Sequence, residues 1–105
     1  MPSDRDQLGL LGEQLAEQTL KRAGLRILER RYRVQGGELD LIALDRDTLV
    51  FVEVKTQSSD ALLDPEERIG REKLQRMTRA ARYYLTRKKL DDPPCRFDAV
   101  AITIQ

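Results

Sequence analysis

The chain has 105 residues, with 19 basic and 18 acidic side chains, one cysteine, and neither histidine nor tryptophan. The missing histidines exclude Ser-His-Asp and Cys-His catalysis and any histidine-held zinc or haem. The single thiol excludes an intrachain disulfide and a cysteine-cluster zinc site. A metal held by this chain would have mostly oxygen ligands, which points to magnesium or manganese.

A chain of this length makes one domain, 1–105, with one modest core. No apolar run approaches a membrane span, so no membrane partner is expected. The first residues lack a secretory pattern, and with the lone Cys95 this points to a cytoplasmic location. The net charge of +1 hides a segregation. Residues 21–33 hold six basic side chains and one acidic, 38–67 nine acidic and two basic, and 71–90 eight basic and one acidic. Such a pattern suits carboxylates in a site whose rim attracts a polyanion, although ordinary surface charge also produces it.

In chain order, Leu8, Leu11, Leu15, Ala16, Leu20 and Ala23 follow helical spacing and predict a helix over about 6–23, stopped by Gly24. Glu13 falls near the edge of its apolar face and Glu17 further round, toward solvent. Leu25 to Tyr32 predicts a strand with apolar side chains on both faces, broken by Gly36-Gly37. Two short strands, Glu38–Leu44 and Leu49–Lys55, flank the polar turn 45–48 as a hairpin. Asp64-Pro65-Glu66-Glu67 predicts the start of a second helix, pausing at Gly70 and running to about Lys89. Its apolar stripe is Leu74, Met77, Ala81, Tyr84 and Leu85, with Arg71, Arg79 and Arg82 on another face. A last strand, Arg96 to Ile104, is apolar enough for burial on both faces. The order is α-β-β-β-α-β. The chain stops inside that last strand, which suggests a longer parent.

The hairpin carries the chemistry. Pairing Leu44 with Leu49 places Asp40 opposite Glu53 and Glu38 opposite Lys55, with opposed Cβ atoms about 5 Å apart. Facing carboxylates on an apolar hairpin are costly, and one must have its pKa raised. A divalent cation between Asp40 and Glu53, with waters and the Val54 carbonyl as further oxygen ligands, removes that cost. Lys55 beside it would stabilise charge on a phosphate or help activate a water, and Glu13 would add an acid if the first helix crosses the hairpin. The competing reading is a salt-bridge ladder of Asp40, Glu53, Glu38 and Lys55 on a solvated face.

Gly12-Glu13, Gly37-Glu38-Leu39-Asp40-Leu41-Ile42, Leu49 to Lys55 and Pro94-Cys-Arg-Phe-Asp98 together resemble the YraN family of small bacterial proteins. That family is placed among endonuclease-like proteins, in the PD-(D/E)XK superfamily of restriction endonucleases and Holliday-junction resolvases. The resemblance implies an α/β fold, a restriction endonuclease-like core with a mixed β-sheet flanked by helices. It implies Asp40 and Glu53 as Mg²⁺ or Mn²⁺ ligands, and Asp40, Glu53, Lys55 and Glu13 as catalytic residues. Leu39 stands where the motif name has proline. The expected activity is metal-dependent hydrolysis of phosphodiester bonds in DNA, including branched or structured DNA, by analogy as a homodimer. The alternative is a nucleic-acid-binding module that keeps the fold and cleaves nothing. A weaker one is a protein–protein interaction domain.

Smaller signals accompany these. Arg71, Arg79 and Arg82 are candidates for tracking a nucleic-acid backbone, and Lys73 for reaching a phosphate or the site, though its stem also suits packing on the core. Tyr83 is a candidate for stacking on bases, whereas Tyr84 is in phase with the core. Asp98 suits either support of the site or an arginine pair. Cys95 reads as a small apolar filler.

Overall fold

A computed structural model of the chain describes residues 3–58 and 70–104. Helix α1 (Asp4–Arg22) leads into strands β1 (Arg26–Val34), β2 (Gly37–Asp45) and β3 (Thr48–Ser58), then helix α2 (Arg71–Arg87) and strand β4 (Cys95–Ile104). This is the α-β-β-β-α-β order that periodicity predicts. The expected helix start at Asp64-Pro65 lies outside the described residues.

Local chemistry sets the boundaries. Ser3 caps α1 through a capping box: its hydroxyl accepts from the Asp6 N–H at 3.1 Å, and its own N–H donates to the Asp6 carboxylate at 3.3 Å. Gly24, at φ 93°, ends that helix, and Leu25 N–H closes it by donating to Leu20 O at 3.0 Å. Gly36, at φ 74°, turns β1 into β2, where Val34 pairs with Gly37.

The strands form one sheet in the order β1-β2-β3-β4. The first three are antiparallel, and β4 lies parallel to β3, so α2 is the crossover that a parallel pair requires. The central strands are buried on both faces. Leu39, Ile42, Leu49 and Phe51 pack against Met77, Ala80, Ala81 and Tyr84 of α2. Leu41, Ala43, Val50 and Val52 pack against Ala16 and Leu20 of α1. Burial of each such large side chain contributes roughly 1.5–3 kcal/mol. The Phe51 ring meets Tyr84 edge-on at 6.3 Å.

Three expectations are corrected. β4 is not buried on both faces: Val100 and Ile102 are half-covered beside α1, while Phe97, Ala99 and Ala101 are exposed. The reason is that α2 packs chiefly over β2 and β1 and leaves that side of the last strand open. Cys95, at the start of β4, is exposed rather than a filler. Leu74 and Leu11, each over 40% exposed, lie outside the buried stripes, which centre on Met77-Ala80-Ala81-Tyr84 in α2 and on Gly12-Ala16-Leu20 in α1.

Two glycines let the helices approach the hairpin. A Cβ on Gly12 would fall 1.8 Å from Thr56 Oγ1 on β3. A Cβ on Gly37 would fall 2.8 Å from the backbone of Arg76 and Ala80 in α2. Gly12→Ala and Gly37→Ala are each expected to destabilise by roughly 1–3 kcal/mol in denaturant unfolding, because a helix must lift away. Gly9→Ala, with open space around it, is expected to stabilise α1 by up to about 1 kcal/mol.

Candidate functional site

The hairpin register is the one that pairing Leu44 with Leu49 implies, and it runs to Leu41 opposite Val52. There the ladder stops. One residue further, the Asp40 carboxylate replaces a backbone partner: Val54 N–H donates to Asp40 Oδ2 at 2.7 Å. Asp40 and Glu53 therefore meet where β2 and β3 part, rather than as a regular cross-strand pair. The strands diverge because side-chain alternation breaks on β2. Leu39 and Ile42 both face α2, while Leu41 and Ala43 face α1. Arg31, the residue of β1 between the partners of Leu41 and Leu39, takes φ 47°, a left-handed conformation unusual for a non-glycine residue inside a strand.

The result is an open cleft of about 540 Å³ between the N-terminal half of α1, the hairpin and the start of α2. Asp6, Glu13, Glu38, Asp40, Glu53, Arg31, Arg33 and Lys73 supply its charged lining. Among the described residues, acidic side chains outnumber basic ones in this lining.

Glu53 is the anomaly of the fold. It is 5% exposed, on the same strand face as Leu49 and Phe51. Its Oε1 meets Lys73 Nζ at 2.9 Å, and its Oε2 is buried with no hydrogen-bond partner. The Glu53 carboxyl is pushed up to about 7, chiefly by burial, with Lys73 pulling it down and the charge and contact of Asp40 adding to the rise. Lys73 is desolvated too, but its hydrogen bonds and charge interactions with Glu53 and Glu38 outweigh that and hold it above the usual lysine range.

Around this pair run two ion-paired arms. Lys73 Nζ also lies 3.3 Å from Glu38 Oε1, and Glu38 Oε2 lies 3.2 Å from Arg33 Nη1. Glu13 binds Arg31 at 2.9 Å. Glu17, expected toward solvent, instead bonds Arg30 of β1 and Lys21, and these partners hold its carboxyl below the usual range.

The predicted residues therefore divide. Asp40, Glu53, Glu13 and Lys73 converge on the cleft. Lys55 follows Glu53 on the same face of β3, half-buried and opposite Ala101 of β4, and it does not line the cleft. Glu38 sits across from Arg33 and beside Lys73, rather than in the expected pair with Lys55. Asp98 pairs with Arg96 at 3.1 Å, which settles its alternative in favour of the arginine. Arg71, Arg79 and Arg82 line a separate shallow groove on the outer side of α2 with Leu74, Gln75 and Thr78. Tyr84 is core, and Tyr83, 49% exposed, lines a third groove with Tyr32, Gln35, Arg87 and Arg33. Arg33 thus borders both that groove and the acidic cleft.

Arg31 and Arg33 are the features that the sequence reading missed, together with the ion pair of Lys73 to Glu53. Lys73 had a readable signal: it is in phase with Met77, Ala80 and Tyr84 on the buried stripe of α2. The turn of Arg31 into the cleft had none.

The donor set fits a divalent cation. Asp40 and Glu53 offer oxygens only, and one Glu53 oxygen is buried and unpartnered beside the Asp40 carboxylate. Among the described residues no group of three or more His, Cys, Asp or Glu converges on one point, so any further ligands would be waters or backbone carbonyls such as that of Val54.

The fold and the cleft define a small α/β domain with an acidic site at the parting of its central hairpin. The chain belongs to the uncharacterised protein family UPF0102, the YraN family, which matches residues 12–102. It is 46% identical over 97 residues to a UPF0102 protein of Syntrophus aciditrophicus (strain SB), covering 92% of this chain and 76% of that protein. It is 50% identical over 99 residues to a UPF0102 protein of Paracidovorax citrulli (strain AAC00-1), covering 90% and 73%. A UPF0102 protein of Moorella thermoacetica (strain ATCC 39073 / JCM 9320) is 41% identical over 102 residues, covering 97% and 85%.

The raised Glu53 carboxyl has a signed consequence. The folded protein holds a proton that the unfolded chain releases near 4.5, so stability is full below that pH and is lost as pH rises through about 7. Lys73 is shifted upward and acts only at alkaline pH, and the lowered Glu17 acts only below this window. In metal-free buffer, urea unfolding is expected to show a loss on the order of 3 kcal/mol between pH 4.5 and 8. Glu53→Gln is expected to remove most of that slope.

Proposed function

We propose that this protein is a metal-dependent nuclease that hydrolyses phosphodiester bonds in DNA, branched or structured DNA included. The observation that carries this reading is the buried Glu53 carboxylate beside Asp40, with one oxygen unpartnered at the floor of an open cleft. A buried carboxyl with an oxygen left unpartnered carries a desolvation cost, and sites that take a cation are where such costs are retained.

Asp40 and Glu53 would hold Mg²⁺ or Mn²⁺. When bound, that ion supplies Lewis-acid stabilisation of charge on a phosphoryl oxygen. The chain's own residues do the rest. Val54 N–H fixes the Asp40 carboxylate, and Lys73 fixes Glu53. Arg31 and Arg33, half-exposed at the rim, are placed to take phosphates while Glu13 and Glu38 orient their guanidinium groups. Arg33 leads to the groove of Tyr32, Tyr83 and Arg87, whose aromatic and basic surface suits a nucleic-acid strand leaving the cleft. Arg71, Arg79 and Arg82 add a second basic face on α2. Two copies of the domain would serve two strands of one substrate, and the location would be cytoplasmic.

One observation favours the alternative, a nucleic-acid-binding module without catalysis. Lys73 already neutralises much of Glu53, so the acids are partly satisfied without a metal. The two readings separate on cleavage. With Mg²⁺ or Mn²⁺, the intact protein is expected to cut branched or linear DNA, and Asp40→Asn and Glu53→Gln to lower the rate by roughly a hundredfold or more. Arg33→Ala is expected to weaken DNA binding and flatten its salt dependence. Salt-sensitive binding with no cutting, unchanged in Asp40→Asn, would leave only the binding module.

A further inference from the structure

Lys73 is a long cation reaching into the part of the cleft where Asp40 and Glu53 would be offered to a metal. Its Nζ is 2.9 Å from Glu53 Oε1 and 3.3 Å from Glu38 Oε1, so it bridges two acids. Its side chain is 28% exposed, that of Glu53 7% and that of Glu38 31%. The bridge therefore runs from a buried acid to a half-exposed one. Arg33 already shares Glu38 through the other oxygen, so Glu38 remains fixed if Lys73 moves. The lysine comes from the first turn of α2 and arrives on a flexible four-carbon stem, while Asp40 and Glu53 are held by strands. Of these partners the lysine is the mobile one.

A divalent ion on Asp40 and Glu53 would sit within a few ångströms of this ammonium. Like charges at that range repel strongly at the effective dielectric of a partly buried site, and both cations would draw on the same Glu53 carboxylate. We infer that Lys73 is a built-in counter-ion, holding Glu53 in the cation-free protein and giving way toward Glu38 when a divalent cation enters. The inference rests on the proposed metal site. It adds that the site sets its own cation threshold. The lysine keeps the buried acid tolerable without metal, and the same contact weakens metal binding. On release, the ammonium stays in the cleft beside Arg33, where a phosphate would meet it.

A lysine that only supports the structure would lower stability when removed and leave metal affinity unchanged or weaker. A competing counter-ion predicts the opposite sign for affinity. The test is Mn²⁺ titration by calorimetry, with thermal unfolding in chelator and in Mn²⁺, on the intact protein, Lys73→Met and Lys73→Gln. The glutamine keeps a hydrogen bond to Glu53 without the charge, which protects the experiment if the methionine variant does not fold in chelator. Both variants are expected to unfold at lower temperature in chelator, to bind Mn²⁺ on the order of tenfold more tightly, and to gain more Tm from Mn²⁺ than the intact protein does. Equal or weaker Mn²⁺ binding by both variants overturns the counter-ion role and leaves the metal site standing. If the intact protein and both variants all fail to bind Mn²⁺, the metal site falls, and this inference with it.

Discussion

The structure turns on one unfavourable placement: a glutamate carboxylate on the apolar face of a central strand. Leu49 and Phe51 precede Glu53 on that face, and α2 covers it. Among the described residues only Lys73 compensates for this charge, at one oxygen; Asp40, turned in where the strands part, adds to the cost, and the remaining oxygen is left without a partner. Removing one partner of such a buried pair costs about 3–5 kcal/mol in proteins generally, so the arrangement is not a passive surface ladder.

The scaffold makes this placement possible through close approach rather than strength of contact. Gly12 brings α1 down onto Thr56, three residues beyond Glu53, and so carries Glu13 to the rim. Gly37 brings α2 down at the start of β2, and so carries Lys73 to Glu38 and Glu53. A methyl group at either glycine would clash with these neighbours and force the helix away from the hairpin. At the distances of these ion pairs, a shift of about an ångström is enough to break a hydrogen bond.

Much of this is legible in the amino-acid pattern. The hairpin register follows from a two-residue turn and two runs of β-type residues, and the register alone brings Asp40 and Glu53 to adjacent strands. Alternation identifies both core faces, and Tyr84 reads correctly as core from its phase with Met77. What is not legible depends on how elements lie over one another. The offset of α2 toward β1 and β2 leaves Phe97 and Cys95 exposed, and no periodicity encodes an offset. The left-handed turn at Arg31, which aims its guanidinium at Glu13, lies inside a run that reads as ordinary strand. Lys73 is the intermediate case. Its phase points inward, but a lysine in that phase usually lays its stem on the core and sends its charge to water. Only the position of Glu53 explains why this one does not.

The central claim is that Asp40 and the unpartnered oxygen of Glu53 form one cation site. A crystal structure of the intact protein grown with Mn²⁺, with anomalous diffraction recorded near the manganese edge, tests it most directly. The account predicts an anomalous peak bridging the Asp40 and Glu53 carboxylates, with Lys73 withdrawn from Glu53 toward Glu38. A map with no peak there, and Lys73 still bonded to Glu53 at saturating Mn²⁺, would contradict it.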